Sequence, residues 1–241
     1  MIRLLASVRD VAEAVAAVGG ADFIDLKEPR AGALGGLPHA RVREVVAALR
    51  HIRPDVPISA TIGDHPAEEL ARIDALVAAV GNCGVDYVKV GVAGGNAQAQ
   101  HALLERLAAA APAVVPVFIA DRGLDFDVVE QACRLPFPAL MADTEDKRAG
   151  SLFDCVAVAD LARFVALAHR AGKLVGLSGA LREEHLPDLA ALVPDFAGFR
   201  GALCEGTREA KLAPGRLARL RDALRAATPI GGREPMLIEP S

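Results

Sequence analysis

The sequence predicts one α/β domain with the architecture of a parallel (β/α)8 TIM barrel. Eight short apolar segments alternate with eight helical segments rich in Ala, Leu, Arg and Glu. A length of 241 residues suits one such barrel, and a hydrophobic content of 52% supplies a large core. A doubly wound open sheet is the alternative, but no G-x-G-x-x-G fingerprint follows the first strand. We therefore expect residues 1–228 to form the barrel and residues 229–241 a C-terminal extension.

The individual elements follow from runs of strand-forming residues and from helix start and stop signals. The predicted strands are Arg3–Ala6, Asp22–Leu26, Pro57–Thr61, Asp86–Val90, Pro116–Ala120, Ala139–Asp143, Leu174–Leu177 and Phe196–Arg200. The predicted helices are Val8–Val18, Ala40–His51, Ala67–Val80, Ala97–Ala111, Phe126–Arg134, Cys155–Ala171, Arg182–Leu192 and Pro214–Ala226. Asp64 and Pro66 precede the third helix, Pro112 follows the fourth, and Ser7 can cap the first.

Charge and composition exclude several classes of protein. A formal net charge of −4 provides no basic surface for nucleic acid. The N-terminal MIRLLASVRD has the character of a first strand rather than a signal peptide, and no apolar run of about 18 residues could cross a membrane. The four cysteines are scattered without a C-x-x-C pair, as expected of reduced thiols. We expect a cytoplasmic protein that binds a small molecule and forms a homo-oligomer through its Ala/Leu-rich helices.

Charged residues gather at the carboxyl ends of the predicted strands, where such barrels carry out their chemistry. Asp25 and Lys27 are two residues apart and therefore face the same side of their strand. Lys89 lies on the fourth strand, and Asp143 ends the sixth with Lys147 just beyond. Lys27 with Asp25, and Lys147 with Asp143, could be purely structural ion pairs. Three lysines at one end of a barrel favour catalysis, because neighbouring cations lower the proton affinity of an amine and allow it to form a Schiff base.

Glycine-containing turns after the seventh and eighth strands predict a phosphate site. They contain Ser178 and Gly179 in GLSGA, and Arg200 and Gly201 in GFRGA. Barrels often bind phosphate there through backbone N–H groups, although the glycines could simply form the turns.

The Gly-rich loop of residues 28–36 could be a lid or an ordinary surface loop. The histidines show no H-x-H or H-E-x-x-H spacing and no nucleophile elbow is present, so we expect neither a catalytic metal nor a Ser–His–Asp nucleophile.

Several of these motifs together resemble the (5-formylfuran-3-yl)methyl phosphate synthase family of methanofuran biosynthesis, also called 4-(hydroxymethyl)-2-furancarboxaldehyde-phosphate synthase. The motifs are DFIDLKEPRAGALGG, DYVKVG, MADTEDKRAGSLFD, GLSGAL and GFRGALCEG, and the resemblance runs from the first strand to about Leu212. It implies a lyase that joins two molecules of glyceraldehyde 3-phosphate with loss of one phosphate and two waters, without a metal or organic cofactor. The charged positions of the family match Asp25, Lys27, Lys89, Asp143 and Lys147.

The charge cluster suggests a mechanism for such a condensation. Lys27 forms the Schiff base with the first triose phosphate, Asp25 and Asp143 exchange protons as the imine becomes an enamine, and Lys89 and Lys147 stabilise developing oxyanions. Lys147 is the alternative Schiff-base residue, since a lysine just after the sixth strand has similar reach. Two other functions remain open: a generic class I aldolase acting on triose phosphates, and a non-catalytic barrel that binds a phosphorylated ligand.

Overall fold

Eight parallel strands close into a barrel in the order of the sequence, in a computed structural model that describes residues 1–110, 112–146 and 149–227. The strands are β1 (Arg3–Val8), β2 (Phe23–Leu26), β3 (Ile58–Thr61), β4 (Tyr87–Val92), β5 (Val114–Ile119), β6 (Ala139–Asp143), β7 (Leu174–Leu177) and β8 (Phe196–Phe199). The barrel closes because β8 pairs with β1, which places Arg3 opposite Phe196. The predicted fold class is confirmed.

Helices pack around the outside of this barrel through apolar stripes. They are α1 (Val11–Val18), α2 (His39–Ile52), α3 (Leu70–Gly81), α4 (Ala97–Ala108), α5 (Phe126–Arg134), α6 (Leu152–Cys155), α7 (Val158–Arg170), α8 (Leu186–Leu192) and α9 (Pro214–Ala227). In α7, Leu161, Phe164 and Ala168 are buried at the three- and four-residue spacing of one helix face. None of the helices in the described residues is long and apolar enough to cross a membrane. The expected cytoplasmic location and homo-oligomer remain predictions.

The boundaries differ from the sequence predictions mainly where helices begin. Ser7 was expected to cap the first helix, but β1 continues past it and Asp10 accepts the first-turn N–H of Glu13 at 2.9 Å instead. The segment predicted as the helix Arg182–Leu192 starts with a 3-10 turn before α8 begins. Residues 228–241, which include the predicted extension, and Lys147 lie outside the described residues.

The loop after β2 packs into the mouth of the barrel. Leu34, near the end of this loop, is fully buried and joins the apolar cluster inside the barrel. Its backbone N–H donates to the Asp64 carboxylate at 3.1 Å. Gly91 on β4 leaves the space that Leu34 fills, because a Cβ there would lie 3.0 Å from Leu34 Cδ1. This loop therefore forms part of the barrel interior beside the end of β2.

Gly176 on β7 makes room for an aromatic ring at the bottom of the barrel. A Cβ at this position would lie 2.1 Å from Cε2 of Phe196, whose ring also packs against Phe23 with centroids 5.4 Å apart. We expect Gly176→Ala to lower the free energy of unfolding by about 2–3 kcal/mol, since overpacking a closed core forces its neighbours off their rotamers. Urea denaturation monitored by circular dichroism measures the loss.

The matched control is Gly215→Ala in the first turn of α9, where nothing lies within 4 Å of the added Cβ. Removal of a helical glycine should leave stability unchanged or raise it by up to about 1 kcal/mol. Equal stability of the two variants would show that the ring of Phe196 can move aside.

Candidate active site

Charged side chains occupy the interior of the barrel at the carboxyl ends of its strands. Asp25 faces inward from β2 and Lys27 from the position just after this strand, while Lys89 faces inward from β4 and Asp143 from β6. All four are buried, with at most 6% of Lys27 exposed. They line a cavity of about 690 Å³ that also contacts the turns after β7 and β8. The barrel thus brings together four residues that are widely separated in the sequence.

The deeper ion pair joins Asp25 and Lys89. Lys89 Nζ lies 3.1 Å from Asp25 Oδ1, which also accepts the Ser59 hydroxyl at 2.7 Å, and Ser7 Oγ donates to Asp25 Oδ2 at 3.1 Å. Burial alone raises the pKa of the Asp25 carboxyl, but the charges of Lys89 and Lys27 and the bond from Ser59 hold it below its ordinary value. Asp25 is therefore a fixed negative charge whose two oxygens are both bound within the protein.

The second ion pair lies between Lys27 and Asp143. Lys27 Nζ is 3.7 Å from Asp143 Oδ2, and the backbone N–H of Thr144 donates to Asp143 Oδ1 at 2.7 Å. The sequence offers Lys27 with Asp25 as a possible structural ion pair, whereas the salt bridge in the structure joins Lys27 to Asp143. Residues two apart on a strand are separated by roughly 6.6 Å along its axis. Asp143, which faces Lys27 from β6 across the barrel, therefore comes closer to Lys27 than Asp25 does.

Three hydrogen-bond donors at the ends of β7 and β8 belong to residues that line the cavity, and none of the three has a protein acceptor among the described residues. The hydroxyl of Ser178 is buried and has no hydrogen-bond partner among the described residues. Gly179, with φ +121°, and Gly201 also line the cavity, and within the same part of the chain neither backbone N–H donates to another protein group. This arrangement is suited to a phosphate, because each of its oxygens can accept several hydrogen bonds.

Arg200, the fourth residue predicted to bind phosphate, is occupied by contacts within the protein. Its Nη atoms bind the Glu13 carboxylate at 2.6 and 3.0 Å and the carbonyls of Ser7 and Ala210 at 3.1 and 2.8 Å. Its Nε donates to the carbonyl of Arg208 at 2.8 Å. These bonds use all five N–H donors of the guanidinium. The geometry therefore supports a structural role for Arg200 in place of the expected direct phosphate contact.

Sequence reasoning missed three further arginines that line the cavity, namely Arg182, Arg208 and Arg216. None of these arginines stands at the carboxyl end of a predicted strand. The rule that catalytic residues lie at those ends therefore could not identify them. It also missed Ser59, whose position on β3 becomes informative only when the barrel places it beside Asp25.

The buried pair of Glu13 and Arg200 predicts a loss of stability in acid. Burial alone raises the pKa of Glu13, but hydrogen bonds from Arg200 and Arg9 bring it below its ordinary value. A carboxyl with a lowered folded-state pKa stabilises the fold above its unfolded pKa of about 4.3, and this contribution is lost as pH falls through the folded-state value. We expect the free energy of unfolding in urea to decrease from about pH 5 towards pH 3. Glu13→Gln should be less stable at pH 7 and show a shallower decrease, and an equally steep decrease would contradict this assignment.

Comparisons with known proteins agree with the resemblance seen in the motifs. The family model described as 4-HFC-P synthase matches residues 4–221. A relative from Methylorubrum extorquens is 39% identical over 227 residues, which are 93% of this chain and 92% of that protein. The (5-formylfuran-3-yl)methyl phosphate synthase of Methanocaldococcus jannaschii is 33% identical and covers 84% of this chain and 90% of its own. The enzyme of the same name from Archaeoglobus fulgidus is 31% identical, with coverages of 92% and 99%.

Solved structures show the same fold at low sequence identity. The 3-hexulose-6-phosphate synthase of Salmonella typhimurium has a TM-score of 0.63 at 17% identity and covers 94% of this chain and 100% of its own. The phosphoribosyl anthranilate isomerase of Thermus thermophilus has a TM-score of 0.62 at 18% identity, with coverages of 93% and 99%. The family match extends over almost the whole barrel and includes the strands that carry both ion pairs. The chain belongs to the 4-HFC-P synthase family.

Proposed function

We propose that this chain condenses two molecules of glyceraldehyde 3-phosphate into (5-formylfuran-3-yl)methyl phosphate through a Schiff base on Lys27. One phosphate and two waters leave, which balances the atoms of the two trioses against the furan product. The observation that carries the proposal is the pair of buried lysine–carboxylate contacts beside one cavity. Family membership supports the product, and the geometry of the two pairs supports the division of roles.

Among the lysines that the structure describes, Lys27 is the amine that we assign to the Schiff base. Its Nζ must first lose a proton, and Asp143 Oδ2 at 3.7 Å is the neighbouring base. The neutral amine attacks the aldehyde carbon of the first triose, and Asp143 returns the proton to the carbinolamine oxygen, which leaves as water. Asp143 then takes the proton next to the iminium carbon, and the resulting enamine attacks the aldehyde of the second triose. Lys147 remains the alternative amine.

Lys89 and Asp25 serve this reaction as a fixed charge pair. The carboxylate of Asp25 is bound by two serines and Lys89, so it orients Lys89 and compensates its charge. The Lys89 ammonium, which also lines the cavity, then stabilises the oxyanion that forms when the enamine attacks. This role for Asp25 replaces the proton exchange suggested by sequence alone, because a buried carboxylate with a lowered pKa is a weak base.

One substrate phosphate binds at the ends of β7 and β8. The hydroxyl of Ser178 and the N–H groups of Gly179 and Gly201 provide donors for its oxygens. Loss of phosphate and water from the condensed product then yields an aromatic ring, which makes the sequence effectively irreversible. The proposal requires no metal or organic cofactor, since the iminium formed on Lys27 accepts the electrons of the adjacent C–H bond and the Lys89 ammonium stabilises the developing negative charge.

Product analysis with glyceraldehyde 3-phosphate tests this function. The expected result is an ultraviolet-absorbing furan of the predicted mass, with one inorganic phosphate released for each furan formed. A class I aldolase would instead give a sugar phosphate without strong absorbance and without phosphate release. Binding of the substrate without turnover would favour the non-catalytic barrel. A reaction without enzyme corrects for spontaneous loss of phosphate from the triose.

A further inference from the structure

The loop that follows β8 places Arg208 at the mouth of the cavity. Cys204 and Leu212 form an antiparallel bridge at the base of this loop, so that it leaves and returns at one place. Arg208 lines the cavity, and its Nη2 reaches the carbonyl of Gly32 in the loop after β2 at 3.4 Å. Arg208 therefore stands on the side of the cavity where the end of β2 presents Lys27.

A network of arginine hydrogen bonds fixes the backbone of this loop. Arg200 donates to the carbonyls of residues 208 and 210 at 2.8 Å each, and Arg9 donates to those of residues 209 and 210 at 2.7 and 3.4 Å. Glu13 holds both arginines, with its carboxylate 2.7 Å from Arg9 Nη2 and 2.6 Å from Arg200 Nη1. Arg200 and Arg9 thus bind three consecutive carbonyls of the loop, those of residues 208, 209 and 210. Such support for a loop is expected when the position of one of its side chains matters.

The Arg208 guanidinium lacks an anionic partner in the part of the chain that the structure describes. The contact with Gly32 is its single hydrogen bond there, which leaves four of its five N–H donors without an acceptor. Burial lowers the pKa of Arg208, and the charge of Asp143 opposes this effect. A partly desolvated cation is costly unless an anion binds it. Arg182, by contrast, also lines the cavity but is exposed and already pairs with Glu184 at 3.2 Å.

We propose that Arg208 forms a second phosphate subsite, which binds one triose phosphate while the donors at the ends of β7 and β8 bind the other. This inference rests on the proposed function, in which two phosphorylated aldehydes must be held together. A guanidinium suits the task because it can bind two oxygens of one phosphate. Arg9, Glu13 and Arg200 are positioning residues that act through Arg208. Holding both trioses turns a collision between two molecules into a reaction within one complex.

Binding of glycerol 3-phosphate tests the subsite without turnover, because this compound carries the phosphate but no aldehyde. Isothermal titration of the full chain should give two sites per chain. Arg208→Gln should lose one site or weaken it at least tenfold, and Arg208→Lys should have an intermediate effect because it keeps the charge but not the planar fork. The matched control Arg182→Gln should retain both sites. One site in the unaltered chain, or two unchanged sites in Arg208→Gln, would overturn the proposal.

This experiment separates the subsite from the proposed function. Two sites that depend on Arg208, in a chain that forms no furan, would keep the subsite and refute the reaction. If the chain forms the furan but binds glycerol 3-phosphate equally well with and without Arg208, the reaction is supported and the subsite is refuted. Equal urea midpoints for the two glutamine variants and the unaltered chain verify that the comparison concerns folded protein.

A double-mutant cycle tests the positioning role of Glu13. Glu13→Gln should weaken binding at the Arg208-dependent site and raise KM more than it lowers kcat. In an Arg208→Gln background it should cause no further change in binding, because the side chain that it positions is already gone. Equal effects in both backgrounds would mean that Glu13 stabilises the fold without acting through Arg208.

Discussion

Replacement of Lys27 is expected to abolish both furan formation and covalent trapping of the substrate. Lys27 Nζ is the buried amine that lines the cavity 3.7 Å from Asp143. Loss of the nucleophilic serine of a serine protease lowers kcat by about 10⁶-fold, and we expect a loss of at least about 10⁴-fold for the nucleophilic lysine here. Lys27→Ala leaves the Asp143 carboxylate without this partner, so Lys27→Arg is the more informative variant. It keeps a positive charge in the barrel but cannot form an imine.

Borohydride reduction in the presence of glyceraldehyde 3-phosphate, followed by peptide mass mapping, measures the covalent step directly. The unaltered chain should carry a triose adduct on Lys27, and Lys27→Arg should carry none. Lys173→Arg is the matched control, because Lys173 donates to the carbonyls of Leu135 and Phe137 and does not line the cavity. An adduct on Lys147 would transfer the Schiff base to that residue. Furan formation without any adduct would exclude the Schiff base.

The sequence was sufficient to predict which residues enter the barrel but not which of them pair. Strand periodicity and the rule that catalytic residues lie at the carboxyl ends of barrel strands selected Asp25, Lys27, Lys89 and Asp143. Pairing depends on the tilt and stagger of strands around the closed barrel, which no local pattern encodes. For this reason Lys89 pairs with Asp25 and Lys27 pairs with Asp143, whereas the sequence offers Lys27 with Asp25 only as one possible pair.

Arg200 illustrates a second limit of sequence reasoning. Its place in a glycine-containing turn after β8 is typical of a phosphate ligand, yet its partner Glu13 lies 187 residues away on α1. In the sequence Glu13 is an ordinary first-turn acidic residue of an amphipathic helix. Only the closure of the barrel through β8 and β1 brings the two together and assigns Arg200 to support of the following loop.

The two ion pairs differ in the distance between amine and carboxylate, and this difference predicts which one moves protons. Asp25 receives both serine hydroxyls and lies 3.1 Å from Lys89 Nζ, an environment that favours a permanent charge. Asp143 Oδ2 faces Lys27 at 3.7 Å, a distance long enough for the pair to tighten when substrate enters. Asp143 is therefore the carboxylate that we expect to act as the base.

Asp143→Asn should accordingly reduce kcat by about 10²–10⁴-fold, the range usual for loss of a general acid–base group. The amide is close to the carboxylate in shape, and its oxygen can still accept the N–H of Thr144 that now binds Oδ1 at 2.7 Å. Borohydride quenching at successive times gives the rate of imine formation, which should fall together with kcat. Asp125→Asn is the matched control, because asparagine caps a helix as well as aspartate does and α5 lies outside the proposed chemistry.

Comparison with Asp25→Asn decides between the two carboxylates. An asparagine there still accepts a serine hydroxyl but no longer compensates Lys89, so we expect weaker stabilisation of the second step while imine formation continues. Slow imine formation in Asp143→Asn alone would assign the base to Asp143. Slow imine formation in Asp25→Asn, with a normal rate in Asp143→Asn, would return that role to Asp25. The deeper pair would then take part in the proton transfers, despite the hydrogen bonds that hold its carboxylate in the folded chain.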